Sequence, residues 1–225
     1  MLKKENLLNL NYVPNESNID IRTIQEFYEN YLMPYIFKYQ LNDDLAITLK
    51  FHKTNFCHLL GLHYITSSTM HHIKYEGDFG YKKIRDEGLS FEKLEAINKH
   101  EFDLNRNRIL YFPFVYQLLQ NPYVIEFDKA KVKKCSVDCK LMFYDEYHNV
   151  NIHLGVRSKN GDFFPVTFLV EPIGNTYKGD KFLKSQRQRK IYKVEIVERW
   201  NVSIAKEISE IMEVQRQVAA IKEKE

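Results

Sequence analysis

The chain has 225 residues, 44% of them hydrophobic and 14% aromatic, enough to bury a sizeable core within one domain. Its 33 basic and 30 acidic residues leave a net charge of +3, so affinity for nucleic acid has to come from a local basic patch rather than from the overall field. Cys57, Cys135 and Cys139 make no disulfide framework, no apolar run nears the roughly 20 residues that cross a bilayer, and Asn residues interrupt the stretch after Lys3-Lys4 where a leader would be apolar; the expectation is a cytoplasmic protein with no membrane contact.

Residues 1–20 are rich in Asn, carry Pro14 and suggest a loosely ordered arm before a single α+β domain at 21–200. Ile24, Phe27, Tyr28, Tyr31, Leu32 and Tyr35 recur at helical spacing. Asn42-Asp43-Asp44 then separates Ile36–Leu41 from Leu45–Phe51, whose alternation predicts a hairpin. Thr54 can cap a helix that places Phe56, Leu59, Leu60 and His63 on one side and points His58 elsewhere. Gly88 and Ser90 mark the end of one helix and the cap of another reaching about His100, and Pro113 bends the apolar run from Arg106 to Gln120.

From Val124 the pattern turns to short β-type runs at Val137–Tyr144, Asn151–Val156 and Phe163–Glu171. Asn160-Gly161 is the strongest hairpin signal, because a type I′ turn needs positive φ at both central residues. Lys190–Arg199 adds a last strand. Ile204, Ile208, Ile211 and Met212 form an apolar stripe on a C-terminal helix at 201–225, which can pack on the sheet or pair two copies as a homodimer. Helices first and strands later argue for α+β, with N-terminal helices packed on a C-terminal antiparallel meander.

Five of the eight histidines, His52, His58, His63, His71 and His72, fall between positions 52 and 72, a natural place for acid-base chemistry. On an unbroken helix His58 and His63 point about 140° apart, unlike the i, i+4 pair of a zinc helix. Cys135-x-x-x-Cys139 has no second ligand pair at zinc-finger spacing. No metal or cofactor is expected, and no glycine-rich phosphate loop is present. His63 reads as a packed core histidine, Cys57 as a small buried thiol, and His58 as the candidate for chemistry. The run Lys181–Lys190 carries five cations, preceded by Lys178 and interleaved with Tyr177, Phe182 and Tyr192. That composition neutralises phosphates and stacks bases, and it also suits a solvated face. Lys129, Lys131, Lys133 and Lys134 can widen the patch.

The helix ending in Tyr31-Leu32-Met33-Pro34-Tyr35, the hairpin, and Leu49-Lys50-Phe51 leading into Asn55-Phe56-Cys57-His58-Leu59-Leu60-Gly61-Leu62 resemble the fourth phage-associated family of nucleases with the barnase, EndoU, colicin and RelE-like fold. Arg108-Ile109-Leu110, Pro165-Val166-Thr167-Phe168 and Tyr177 with its basic segment follow in the same order, so the resemblance covers about residues 25–200. It implies a metal-independent endoribonuclease of phage or mobile-element origin that attacks a phosphate with the adjacent 2′-hydroxyl of transfer or messenger RNA. It also implies a toxin-like setting with an antitoxin or immunity partner. On this resemblance His58 is the general base or acid, Arg108 the phosphate clamp, and Thr167 with Tyr177 partners of the substrate or leaving group. Lys178, Lys181, Lys184, Arg187, Arg189 and Lys190 are then expected to hold the RNA backbone. The competing expectation is a non-catalytic phage regulator or inhibitor that keeps the fold and binds nucleic acid or protein.

Overall fold

The computed structural model describes residues 1–42, 45–67, 74–174 and 178–200. Helix α1 (Ile21–Tyr31) starts where the Asp20 carboxylate accepts the Thr23 amide at 2.6 Å, and it stops before Pro34, after which the chain extends into strand β1 (Tyr35–Leu41). The hairpin partner β2 (Ala46–Lys50) pairs antiparallel with β1 from Ile36↔Lys50 to Gln40↔Ala46, as the alternation predicted. Short helices α2 (Lys53–Leu59) and α3 (Leu62–Ile65) follow, then α4 (Gly77–Glu87), α5 (Phe91–Ile97), α6 (Lys99–Tyr111) and α7 (Val115–Gln120). Gly88 and Ser90 sit where expected, but Asn98 splits the helix predicted to reach His100, because its side chain caps α6 by accepting the Glu101 amide. Thr54 lies inside α2; the cap position is His52, whose amide is held by the Asn55 side chain.

Strands β3 (Tyr123–Glu126), β4 (Leu141–Tyr147), β5 (Val150–Lys159) and β6 (Asp162–Pro172) form an antiparallel meander. Asn160 and Gly161 take positive φ at the β5–β6 turn, and His148 and Asn149 do the same at β4–β5. Two further strands, β7 (Arg187–Arg189) and β8 (Ile191–Glu198), complete the order β7-β3-β4-β5-β6-β2-β1-β8. Only Lys190 separates β7 from β8, so one bent stretch of chain supplies both outer strands and the sheet curls until its ends meet. At that bend Asn42, just past β1, donates its amide to the Lys190 carbonyl at 3.0 Å and accepts the Lys190 amide on its side chain at 3.2 Å. The simple order of helices first and meander later is therefore corrected: the β1–β2 hairpin enters the sheet from among the helices, and β8 pairs with β1.

The helices fill the concave face. Tyr28, Phe51, Phe56 and Phe112 pack with ring centroids 5.1–6.1 Å from Tyr28, and the Tyr39 hydroxyl, fully buried, donates to the Leu119 carbonyl at 2.8 Å. Residues 1–20 are not a loose arm: a 3₁₀ turn at Lys4–Asn9 buries Leu7, and Ile19 is also fully enclosed, each contributing about 1.5–3 kcal/mol of burial. The convex face carries a smaller cluster, Ile125, Phe127, Cys139 and Met142, covered by Phe182 and Leu183. No helix among the described residues is long and apolar enough to cross a membrane. The expected C-terminal helix at 201–225 lies outside the described residues.

Candidate active site

Between the helices and β6 lies a cavity of about 600 Å³. Its position follows from two interruptions. The parallel contact of β2 with β6 is limited to Leu49↔Phe163, so beyond Phe163 α2 packs along β6 instead of a strand. The β5–β6 register then shifts between Gly155↔Thr167 and Val156↔Pro165, leaving Val166 as an unpaired bulge beside a proline that has no amide to offer the ladder. His58, near the end of α2, bonds the freed Val166 backbone.

The second interruption is in the helix itself. Gly61 takes φ +74°, and a Cβ there would fall 2.5 Å from the Asn105 side-chain oxygen on α6, so glycine meets both the backbone and the space requirement. The chain turns, α3 begins, and His63 swings back onto His58. Their rings stack with centroids 4.1 Å apart and planes at 25°. Tyr64 lies against His63 at 3.9 Å, and the Arg108 guanidinium sits 5.4 Å from the Tyr64 ring centre. The expected 140° divergence of the two histidines is thus overturned, because the helix is not continuous. His63 is a wall of the cavity rather than a core residue.

This cluster is electrostatically tense. Loss of water lowers the His58 pKa, the Arg108 cation lowers it further, and the bond to Val166 opposes both. Burial pushes His63 down to about 4, with His58 and Arg108 adding to the effect. Both imidazoles are therefore neutral at pH 7. Arg108 is itself partly desolvated, which lowers its pKa, and Tyr64 draws it back up. It remains a cation at any working pH. Cys57, just behind His58, is fully buried and its thiol is pushed up to about 12 by desolvation, so it is inert packing.

The opposite wall brings Thr167 and Leu169 of β6, Cys135 and Lys134 from the loop before β4, and Lys181 with Phe182 from the segment before β7. Arg157 also lines the cavity and is ion-paired with Asp138. Arg108, Lys134, Arg157 and Lys181 thus face Glu76 and Asp138, an excess of positive charge suited to an anion.

The model of the phage-Barnase-EndoU-ColicinE5/D-RelE like nuclease 4 family matches residues 20–207. The chain belongs to that family. No curated protein and no solved structure matches it. Membership in a nuclease family makes nucleic acid the substrate class, and the match spans every element that builds the cavity.

Of the residues singled out in the sequence, His58, Arg108, Thr167 and Lys181 meet in this cavity. Tyr177 lies outside the described residues, as do His71 and His72. Lys178, exposed, forms an isolated bridge with Ile173, and Lys184 is exposed on the turn that precedes β7. Arg187 and Arg189 belong to β7 and meet Glu126 at 3.8 and 2.8 Å, while Lys190 rests 5.2 Å over the Tyr192 ring. The basic run is therefore a turn plus an edge strand, partly neutralised, with Lys181 as its member in the cavity. His63, Tyr64 and Arg157 were not anticipated; a glycine just past Leu59-Leu60, where a helix ends readily, is the signal that would have placed His63.

Proposed function

We propose that this protein is an endoribonuclease that needs no metal and cleaves by 2′-hydroxyl attack on the adjacent phosphate. The observation that carries the reading is the stacked His58–His63 pair beside Arg108 on one wall of a cationic cavity. In the proposed reaction His58, neutral at pH 7, takes the 2′-hydroxyl proton as the oxygen bonds to phosphorus. Arg108 holds the non-bridging oxygens as charge grows on them, Lys181 grips the neighbouring RNA backbone, and the 5′-oxygen leaves with a proton, giving a 2′,3′-cyclic phosphate and a free 5′-hydroxyl. His63 is the proton donor in this scheme. Its low pKa reflects burial and neighbouring positive charge, and a bound phosphate offsets the second of these, raising the charged fraction when substrate is present. Thr167 sits on the bulged stretch of β6 opposite the histidines and serves as a hydrogen-bond partner of the phosphate.

Labelled total RNA incubated with the full chain in EDTA tests the reading. Cyclic-phosphate ends are expected from wild type and their near-absence from His58→Ala. Intact RNA with wild type would refute the nuclease reading, and equal cutting by His58→Ala would refute the assignment of the base. Transfer and messenger RNA are the substrates to separate first.

A further inference from the structure

The cavity explains how a phosphate is held but leaves a row of rings on the convex face unused. Phe182, a cavity wall, packs edge-on against His153 at 5.5 Å; His153 stacks beside Tyr144 at 6.3 Å; Tyr144 lies 5.5 Å from Tyr123 with planes 30° apart. The register explains the alignment: Leu169↔His153, His153↔Tyr144 and Tyr144↔Tyr123 are direct cross-strand neighbours, so all four side chains share one face and one row. Three strand spacings carry the row about 14 Å from the Leu169 wall to Tyr123.

The two ends of the row differ. His153 is fully buried beneath Phe182, with its Nε2 3.3 Å from the Glu171 carboxylate. Tyr123 is 62% exposed, an unusual place for a large ring on a strand whose next two residues are nearly fully buried. Gln188, on the neighbouring strand, reaches the Tyr144 hydroxyl at 3.3 Å, while Lys190, which follows the Val124↔Arg189 pair, turns its ammonium onto the Tyr192 ring. Lys181 and Lys184 are exposed on the turn between this ring and the cavity.

We propose that Tyr123 is a stacking subsite for a base of single-stranded nucleic acid whose scissile phosphate occupies the cavity, with Gln188 beside the ring and the Lys181–Lys184 turn under the intervening backbone. An exposed ring, with exposed cations on the turn that leads from the cavity, combines the stacking and phosphate contacts that bind single strands without reading sequence. The inference rests on the cavity being the cleavage site.

Single-stranded DNA, which lacks the attacking 2′-hydroxyl, measures binding without cleavage. Fluorescence anisotropy of a labelled strand of roughly 12 nucleotides, a length within the range that such grooves cover, is compared with competition by a trinucleotide. Tyr123→Ala is expected to weaken the long strand about tenfold and leave the trinucleotide unchanged, while Tyr123→Trp restores or exceeds wild-type affinity. Unchanged binding of the long strand, or equal weakening of both lengths, would overturn the subsite. Should wild type show the Tyr123-dependent binding yet cut no RNA, the ribonuclease reading fails and the subsite stands. If RNA is cut and Tyr123→Ala binds the long strand as wild type does, the subsite alone fails.

Discussion

On the helical wall of the cavity, His58, His63 and Arg108 hang from α2, α3 and α6, whose inward residues Phe56, Leu62 and Ile109 are fully buried in the main core. On the facing wall, Lys134, Lys181 and Phe182 ride on irregular segments held by the smaller convex cluster and by exposed ion pairs such as Lys131–Asp128. The helical side is anchored by about 1.5–3 kcal/mol for each large side chain sunk in the core; an exposed pair contributes about 0–1 kcal/mol. Groups that transfer protons require the rigid support, because an error of about 1 Å in their placement is costly. Cations that grip a flexible chain tolerate a lighter mount.

The sharpest way to break this contrast is on the rigid side. His58→Ala should reduce kcat about 10²–10⁴-fold with the melting temperature nearly kept; a loss below tenfold would mean that the anchored wall does not hold the base. Arg108→Ala comes next, with a loss of about 10²–10³ in kcat/KM and a change in pH profile. Because Arg108 lowers both imidazole pKa values, its removal should raise them and move the acidic limb of the rate profile to higher pH. An unmoved limb would show that the titrating group lies elsewhere. Gly61→Ala should cost about 1–3 kcal/mol in a denaturant titration, since the positive φ and the contact with Asn105 are both violated.

Smaller effects belong to the lighter wall and to proton linkage. Lys181→Ala is expected to raise KM a few-fold and to reduce the slope of log affinity against log salt by about one, with kcat little changed. A matching fall in kcat would make Lys181 part of the rigid machinery and erase the contrast. The pH dependence of stability has a definite sign at His63. Its folded pKa of about 4 is below the ordinary 6.5, so the unfolded chain takes up the proton first, and stability falls as pH drops from about 6.5 to about 4. His63→Gln should flatten that part of a melting-temperature profile.

Local signals located the elements that need little beyond neighbouring residues. The period of α1, the Asn160-Gly161 turn and the Ser90 cap all follow from chemistry within a few positions. The pairing of β8 with β1 and the brief β2–β6 contact join segments more than 100 residues apart, and the bulge at Val166 is a register shift inside a hairpin; no period or turn residue records them. The site divides the same way. His58, Arg108, Thr167 and Lys181 were legible because a motif order and a charge run carry them. His63 was hidden by extending one helical wheel through Gly61. Leu7, in a segment whose Asn content suggests looseness, is buried because a single 3₁₀ turn suffices to seat it in the core beside α1, and Ile19 is buried at the entry to α1 itself.

The contact between Gly61 and Asn105 also constrains how this site can change over generations. Asn and Asp, the residues that most readily replace glycine at positive φ, would collide with the Asn105 side chain. A change at position 61 therefore has to displace the side chain of residue 105, 44 positions away, and costs less once residue 105 has been shortened, so the order of two substitutions governs how well the histidine pair is kept in place.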